Sequence, residues 1–324
     1  MPRRFLRLTR AHTVPLEAVP AIVGAALATG TVWSLDVALW GAFGALYHLT
    51  GYGMNSYSDW KNGYDKEDEW KQHHPLNSGG ISPEAAKLTV VSLLALTFAY
   101  IPLALNPSPG AVGVLVLGLA SGVVYNELGK RIEGKFLFIA IAHTSVFVAP
   151  YLSLGGDIDR MFLFGAAYVF IWVTYQISVS GEVKDITTDE ANFLKELGAR
   201  TIDGAVIFPD VCLIYGYILK SLNIILAIGL ILLGDQNMWS LFVVAILGAL
   251  SLWLNEELLK TDIYCRMTRI ENMSTIEMFT LVIFCISYTS TLGAQAVGAI
   301  ILGSGVWVIL GNRYIWGTWV APRV

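Results

Sequence analysis

The sequence predicts an all-α polytopic membrane protein with about nine to ten transmembrane helices around a central cavity. Of its 324 residues, 55% are hydrophobic and only 14% are charged. A soluble domain carries roughly 25% charged residues, so a soluble protein is excluded. The net charge of −4 indicates little, because the placement of charge matters more than its sum in a membrane protein.

The apolar stretches follow one another along the chain, so we treat residues 1–324 as a single membrane-embedded domain. Each stretch is close to the roughly 20 residues that a hydrocarbon core requires. They predict helices over 13–33, 36–55, 83–104, 109–126, 135–153, 159–180, 204–232, 236–257, 275–294 and 295–312. Two long polar interruptions, about 55–82 and 181–203, are the predicted functional loops.

The distribution of Lys and Arg predicts the orientation. If the N-terminus is cytoplasmic, Arg160 is the only basic residue of the outer segments, and Lys220 lies inside the seventh helix, where it would snorkel or mark a kink. All other Lys and Arg residues fall on the inner side. This asymmetry predicts an integral cell-membrane protein whose N-terminus and two polar loops face the cytoplasm.

Acidic and amide side chains mark the start of both polar loops. Asn55 and Asp59 are four residues apart and Asp65 follows them, while Asp185 and Asp189 repeat the same interval after the sixth helix. An interval of four puts each pair on one helical face. Because both loops are predicted on one side of the membrane, the two pairs can share metal ions.

Oxygen ligands of this kind suit Mg²⁺, which is usually shared between a few carboxylates and substrate phosphates. A diphosphate is the natural complement, and Lys66, Lys71, Lys130, Arg131 and Lys184 can neutralise its remaining charge. A polar head at the rim of a deep apolar cavity fits an isoprenyl diphosphate. Metal ions would stabilise the leaving diphosphate, and aromatic side chains would shield the carbocation from water.

At these residues the sequence resembles the UbiA superfamily of intramembrane prenyltransferases. Leu8 to Thr13 looks like the family's opening Arg-Pro segment with Ala11 in place of Pro, and His74 to Ser82 looks like its Arg-Pro-Leu-x-Ser-Gly-x-Ile-Ser element. Tyr125 followed by Lys130 and Arg131 resembles the family's Tyr and basic pair after the fourth helix.

Both acidic motifs depart from the commoner family pattern. Ser56 and Gly63 stand where that pattern has Asp, and Asp65 two residues later resembles the form seen in menaquinone-type branches. The Gly-x-x-Thr that usually follows the second motif closely comes later here, at Gly198 to Thr201. This longer loop indicates an unusual acceptor pocket.

The resemblance implies a Mg²⁺-dependent prenyltransferase that moves an isoprenyl chain from its diphosphate to an aromatic acceptor, as in quinone biosynthesis. It implies no nucleic-acid partner; the partners are the donor, an aromatic or lipid acceptor and membrane lipid. The expected metal ligands are Asn55, Asp59 and Asp65 for one ion and Asp185 and Asp189 for another, and the four Asp residues are the expected catalytic residues. The expected substrate-binding residues are Arg10, Tyr125, Lys130, Arg131 and Lys184.

Other functions stay open at this point. The acceptor could be a glycerol-phosphate lipid, or a chlorophyll-like or haem molecule, and a terpene cyclase of the same superfamily would need no acceptor. From a different class, a cation-coupled transporter would also carry intramembrane carboxylates, although its site usually lies near the bilayer midplane. His48, seven residues before Asn55, would either contact an acceptor or be a hydrogen-bonded core residue.

Overall fold

The computed structural model describes residues 2–64, 69–132, 134–189, 191–234 and 237–319. This part of the chain is mostly helical, which confirms the predicted all-α membrane fold. The helices are α1 Pro2–Leu8, α2 Pro15–Thr29, α3 Leu35–Lys61, α4 Pro83–Tyr100, α5 Pro109–Leu128, α6 Lys135–Ser153, α7 Arg160–Tyr175, α8 Glu182–Lys184, α9 Phe193–Glu196, α10 Asp210–Leu233, α11 Met238–Leu258, α12 Arg266–Ile286, α13 Thr289–Leu292 and α14 Ala294–Trp316.

Within the described residues, 8 helical segments are long and apolar enough to cross a membrane. Two of them include a π-helical turn: Ile101–Leu105 extends α4, and Gln176–Gly181 joins α7 to α8. The helices α3 and α12 are also long, but polar and charged side chains lower their mean hydropathy. Those side chains include the first acidic motif on α3.

The chain divides into two compact units. Unit 1 consists of Met1–Leu128, Ser145–Gly156 and Leu302–Val324, and unit 2 consists of Gly129–Thr144 and Asp157–Ile301. The first motif therefore belongs to unit 1 and the second to unit 2, and each unit is described by itself below.

Small residues bring the helices of unit 1 close together. A Cβ on Gly44 of α3 would lie 2.7 Å from the Glu17 carbonyl oxygen of α2, and one on Gly41 would lie 2.8 Å from Ile22 Cγ1. Such short approaches are typical of helix pairs in membranes, where small side chains let backbones approach. The close packing of α2 on α3 puts Glu17 beside the polar face of α3.

In unit 2, α10 packs on α7 and α11, and α11 packs on α12. Gly216 of α10 lies directly against the Asn255 side chain of α11. Arg269 of α12 donates to the carbonyl oxygens of Glu257 and Leu258, both at 2.6 Å, at the end of α11. These bonds satisfy carbonyl groups that a helix C-terminus leaves without intrahelical partners.

Side-chain caps fix several helix N-termini, as at Ser34, Ser82 and Asp159. Ser34 Oγ accepts from the Val37 amide at 3.2 Å, and Asp159 Oδ1 accepts from the Phe162 amide at 2.8 Å. Each cap of this kind contributes about 1 kcal/mol. The caps explain why α3, α4 and α7 begin close to the predicted positions.

The structure differs from the predicted helices in three places that matter for the site. One is α12, which begins at Arg266 and ends at Ile286 where a helix over 275–294 was predicted. The second helix was predicted to end at residue 55, but α3 continues to Lys61. Hydropathy marks where a chain leaves the lipid, not where the helix ends. The first motif therefore starts on a helix and not in a loop.

The predicted helix over 204–232 begins only at Asp210, because the residues before it form a small antiparallel sheet. Its strands are β1 Arg200–Ile202, β2 Ala205–Ile207 and β3 Asp262–Ile263, in the order β1-β2-β3. Asp203 and Gly204 connect β1 to β2 with φ angles of 48° and 79°. Two positive φ angles define the type I′ turn that an Asp-Gly pair favours in a hairpin.

Candidate active site

The first motif lies on the last two turns of α3, in unit 1. Asn55 is half-buried and Asp59 is buried, and the unbroken helix keeps them on one face. His48 and Tyr52 lie on the same face, because the intervals from residue 48 to 52, 55 and 59 are four, three and four. This face carries amide and carboxylate oxygens at its C-terminal end and two aromatic rings in the preceding turns.

The serines of the first motif have different surroundings. Ser58 Oγ, fully buried, donates to Glu127 Oε1 of α5 at 2.9 Å, and Lys61 Nζ lies 3.6 Å from the other oxygen of Glu127. Ser56 Oγ is buried with no hydrogen-bond partner among the described residues. A buried hydroxyl without a partner is costly, and Ser56 directly follows Asn55 and lies three residues before Asp59 on the same helix.

The second motif lies in unit 2, where the π-helical turn after α7 leads into α8. Asp185 directly follows α8, and both of its carboxylate oxygens lie 2.7 Å from Lys184 Nζ. Arg266 Nη2, from the start of α12, donates to Asp185 Oδ1 at 3.0 Å. Asp185 is therefore a half-buried carboxylate held by two cations.

Asp189 lies one turn beyond Asp185, although α8 has already ended. Its backbone amide donates to the Asp185 carbonyl oxygen at 2.9 Å, so the interval of four survives as a single turn. Lys195 Nζ donates to the Asp189 carbonyl oxygen at 2.6 Å. Asp185 and Asp189 were predicted to lie on one face of a helix. In the structure they lie at the two ends of a single hydrogen-bonded turn after α8.

A second ion pair fixes the loop after this motif. Lys135 Nζ of α6 lies 2.8 Å from Glu182 Oε1, and Glu182 Oε2 accepts from the Phe193 amide at 2.9 Å. Asn192 Nδ2 donates to the Glu182 carbonyl oxygen at 2.8 Å. Glu182 is thus used to hold α8 and α9 together, whereas Asp185 and Asp189 are half-buried.

The other predicted residues are only partly described. Asp65 and Lys66 lie outside the described residues, and so does the side chain of Lys130. Tyr125 is half-buried on α5, Arg131 is exposed, and Lys71 is buried. Arg10 is half-buried, with its guanidinium 5.2 Å from the Tyr52 ring centroid.

The side chains of each motif, taken by itself, fit Mg²⁺. Asn55, Asp59, Asp185 and Asp189 offer only oxygen ligands, and Ser56 adds a buried hydroxyl without a partner. Among the described residues, no three His, Cys, Asp or Glu side chains gather as a complete metal site. Mg²⁺ is commonly bound through one or two carboxylates, with waters and substrate phosphates as the remaining ligands.

Sequence comparison decides the family. The model of the UbiA prenyltransferase family matches residues 18–262. The chain belongs to this family. It is therefore a prenyltransferase, as the motifs predicted, and the matched UbiA region contains both acidic motifs. No curated protein sequence matches the chain significantly.

Solved UbiA structures have the same fold. A UbiA homologue from Aeropyrum pernix K1 has a TM-score of 0.60 at 18% identity, with 90% of this chain and 96% of that chain covered. A UbiA homologue from Archaeoglobus fulgidus bound to GPP and Mg²⁺ has a TM-score of 0.58 at 17% identity and coverages of 89% and 99%. A digeranylgeranylglyceryl phosphate synthase has a TM-score of 0.59 at 18% identity and coverages of 94% and 99%.

Sequence reasoning missed three residues that shape this site. Arg266 contacts Asp185 from 81 residues away, and Lys135 contacts Glu182 from 47 residues away. No local spacing predicts such pairs. The available signal was that Arg266, Lys135 and Glu182 are charged residues next to long apolar segments, where a charge without a partner is costly.

Proposed function

We propose that this protein transfers an isoprenyl chain from an isoprenyl diphosphate to an acceptor within the membrane, with Mg²⁺ as the cofactor. The carrying observation is the polar face of α3, where Asn55 and Asp59 lie one turn apart and the Arg10 guanidinium lies over the ring of Tyr52, three residues before Asn55. The Archaeoglobus fulgidus UbiA homologue that binds GPP and Mg²⁺ supports the choice of donor and metal ion.

In this proposal the residues of the two motifs have separate roles. Asn55, Asp59 and Asp65 bind one Mg²⁺ ion, and Asp185 and Asp189 bind another. Bound Mg²⁺ would neutralise the charge that develops on the diphosphate as the allylic C–O bond breaks. Lys184, Lys130, Arg131 and Arg10 bind diphosphate oxygens, and Tyr125 contacts the substrate.

Asp185 and Lys184 explain how such a site would accept its substrate. Lys184 Nζ and Arg266 Nη2 both contact the Asp185 carboxylate. When a cation binds Asp185, the Lys184 ammonium is released from that carboxylate and is available to phosphate oxygens. Before the substrate binds, Lys184 would balance the negative charge of Asp185. After it binds, Lys184 would balance the negative charge of the diphosphate.

We propose an aromatic, quinone-precursor-like acceptor, because the first motif resembles the menaquinone-type form with Asn55, Asp59 and Asp65. The likeness to the digeranylgeranylglyceryl phosphate synthase favours a second candidate, a glycerol-phosphate lipid acceptor. Both candidate reactions use the same residues and metal ions to bind the isoprenyl diphosphate, and they differ only in the acceptor. We also propose that the N-terminus and both motifs face the cytoplasm, as the Lys and Arg distribution indicates.

The test is diphosphate release by the purified protein from farnesyl or geranylgeranyl diphosphate, with and without Mg²⁺. We expect release that requires Mg²⁺ and an acceptor, and a loss of at least about 100-fold in Asp59→Asn and Asp185→Asn. The matched control is Asp203→Asn, which makes the same chemical change in the β1–β2 turn, where Asn tolerates the positive φ angle.

The acceptor panel separates the alternatives. Dependence on a dihydroxynaphthoate-like or hydroxybenzoate-like phenol would support the aromatic acceptor, and dependence on a glycerol-phosphate lipid would support the second candidate. Release without any acceptor, accompanied by cyclic hydrocarbon products, would favour a cyclase. If no donor is cleaved under any condition while Mg²⁺ still binds, the prenyl-transfer proposal is wrong.

A further inference from the structure

Glu17 of α2 and His48 of α3 form a buried pair inside unit 1. Their relative exposures are only 2% and 1%, and Glu17 Oε2 directly contacts His48 Nδ1. Of the two possibilities that the sequence left open for His48, the structure supports the hydrogen-bonded core residue. A buried Glu and His at the depth of a membrane helix need a reason to be there, because each is costly without a partner.

The contacts of His48 Nε2 establish where its proton lies. Nε2 is 3.1 Å from the Arg10 carbonyl oxygen and 3.2 Å from Thr13 Oγ1. Thr13 Oγ1 donates its own proton to the same carbonyl oxygen at 2.8 Å. Both neighbours of Nε2 therefore accept, so Nε2 carries a proton.

One further proton is then shared between His48 Nδ1 and the Glu17 carboxyl group. If the proton lies on Nδ1, the pair is an imidazolium and a carboxylate; if it lies on Glu17, both groups are neutral. In either arrangement the pair has no net charge, which suits a site that water does not reach. The pair therefore keeps an N–H group permanently aimed at the Arg10 carbonyl oxygen.

Arg10 has a backbone conformation that requires such support. Its φ and ψ angles are 45° and 43°, in the left-handed region that non-glycine residues rarely adopt. Its carbonyl oxygen accepts from both Thr13 and His48. Its guanidinium lies over the ring of Tyr52, and that ring in turn packs on the His48 ring at a centroid distance of 4.4 Å. His48 thus supports Arg10 at both its backbone and, through Tyr52, its side chain.

This arrangement places the Arg10 guanidinium over Tyr52, three residues before the first motif. Tyr52 and Asn55 lie on the same face of α3, and three residues of helix span only about 4.5 Å along its axis. Among the described residues, no carboxylate pairs with Arg10. A guanidinium without a carboxylate partner, beside predicted metal ligands, is suited to bind phosphate oxygens in a bidentate manner.

We propose that Glu17 and His48 are positioning residues that hold Arg10 in place to bind the diphosphate of the isoprenyl donor. This inference rests on the proposed function. It assigns a role in substrate binding to two buried residues that do not touch the substrate themselves.

The test is a double-mutant cycle that combines Arg10→Ala with His48→Leu. The first readout is equilibrium binding of inorganic pyrophosphate to the purified protein in the presence of Mg²⁺. The second is steady-state kinetics, which gives kcat and the separate KM values of the donor and the acceptor. We expect each single substitution to weaken pyrophosphate binding about tenfold, to raise the donor KM and to leave the acceptor KM unchanged. In the Arg10→Ala background, His48→Leu should have no further effect.

Two more variants separate positioning from stability. His48→Gln keeps an amide N–H group that can reach the Arg10 carbonyl oxygen, so it should restore most of the pyrophosphate affinity. Thr50→Val is the matched control, because Thr50 is also buried on α3 and its hydroxyl bonds to Thr97 at 2.9 Å, away from Arg10. It should lower the unfolding temperature without changing pyrophosphate affinity.

Additive effects of Arg10→Ala and His48→Leu on pyrophosphate affinity would overturn the inference. A rise in the acceptor KM as large as the rise in the donor KM would also overturn it. So would a loss of pyrophosphate affinity in Thr50→Val as large as in His48→Leu. If Arg10→Ala leaves pyrophosphate binding unchanged while Asp59→Asn abolishes Mg²⁺-dependent release, this inference fails and the proposed function stands. Because pyrophosphate binding needs no turnover, the cycle decides the inference even where no donor is cleaved.

Discussion

Arg266 Nη2 donates to Asp185 Oδ1 at 3.0 Å, and the guanidinium side chain is almost completely buried, with 1% relative exposure. A buried arginine that contacts a proposed metal ligand orients that ligand and tunes its charge. Partners of this kind typically change metal affinity or activity by 10- to 100-fold when they are removed. We therefore include Arg266 in the proposed site, although it lies on α12.

We predict that Arg266→Ala raises the Mg²⁺ concentration required for half-maximal diphosphate release by about tenfold or more. The matched control is Arg269→Ala, since Arg269 is equally buried on the same helix but donates to carbonyl oxygens at the end of α11. This control should lower thermal stability and leave the Mg²⁺ requirement unchanged. A similar Mg²⁺ shift in both variants would contradict the role given to Arg266.

The buried serines of α3 should respond differently to truncation. Ser58→Ala removes the hydrogen bond to Glu127 and should cost about 1 kcal/mol of unfolding free energy. Ser56→Ala removes a hydroxyl with no partner among the described residues, so it should not destabilise the protein and should raise the free energy of unfolding by about 1 kcal/mol. Unfolding of both variants in detergent without Mg²⁺ measures the difference.

The same pair of variants reports on Mg²⁺. If Ser56 contacts the ion or its waters, Mg²⁺ should stabilise the wild type more than Ser56→Ala, and should stabilise Ser58→Ala as much as the wild type. Equal stabilisation by Mg²⁺ of all three proteins would remove Ser56 from the site.

The apolar segments predicted most of the fold. The segment 135–153 coincides with α6, because a lipid-spanning helix needs a continuous apolar run whose length is set by the membrane. Hydropathy did not predict the end of a helix that continues beyond its apolar run, as α3 does up to Lys61. It also failed for the short sheet, because strands of two or three residues are stabilised by pairing and not by an apolar run.

The candidate site was predictable only in part. Asn55 and Asp59 were recognised because an interval of four residues is a local property of a helix. Contacts such as Glu17 with His48 and Asp185 with Arg266 join residues that are 31 and 81 positions apart. They depend on how helices pack, and nothing in the local spacing of either residue indicates its partner.

Lys220 provides another example of a contact that depends on packing. It was predicted to snorkel or to mark a kink, but the structure buries it in unit 2, where Nζ donates to Thr280 Oγ1 at 2.9 Å and lies 3.8 Å from the Tyr175 ring centroid. Glu277, three residues before Thr280 on α12, is also buried, and its Oε2 accepts from Trp172 Nε1 at 2.7 Å.

We predict that Lys220 and Glu277 are coupled in stability. Lys220→Met and Glu277→Gln should each cost about 3 kcal/mol, because each leaves a buried charge without its counter-charge. The double variant should lose clearly less than the sum of the two, which thermal unfolding of the four proteins of the cycle measures. Additive losses would mean that the two charges do not stabilise each other.

Cys265 allows the proposed orientation to be tested without engineering. It is the exposed cysteine that precedes α12, whereas Cys212 and Cys285 are buried. A membrane-impermeant maleimide should therefore label one thiol per chain. Labelling should occur in inside-out vesicles and not in intact cells if this loop faces the cytoplasm; the reverse pattern would invert the proposed topology.

Thr268 should control the rate of this labelling. Its hydroxyl donates to Cys265 Sγ at 3.3 Å, and this hydrogen bond lowers the pKa of the Cys265 thiol. A lower pKa means more of the reactive thiolate at neutral pH. Thr268→Val should therefore slow labelling at pH 7, and the two rates should converge at a pH above the ordinary thiol pKa, where both thiols are ionised. An equal difference at every pH would indicate altered access of the reagent and not an altered pKa.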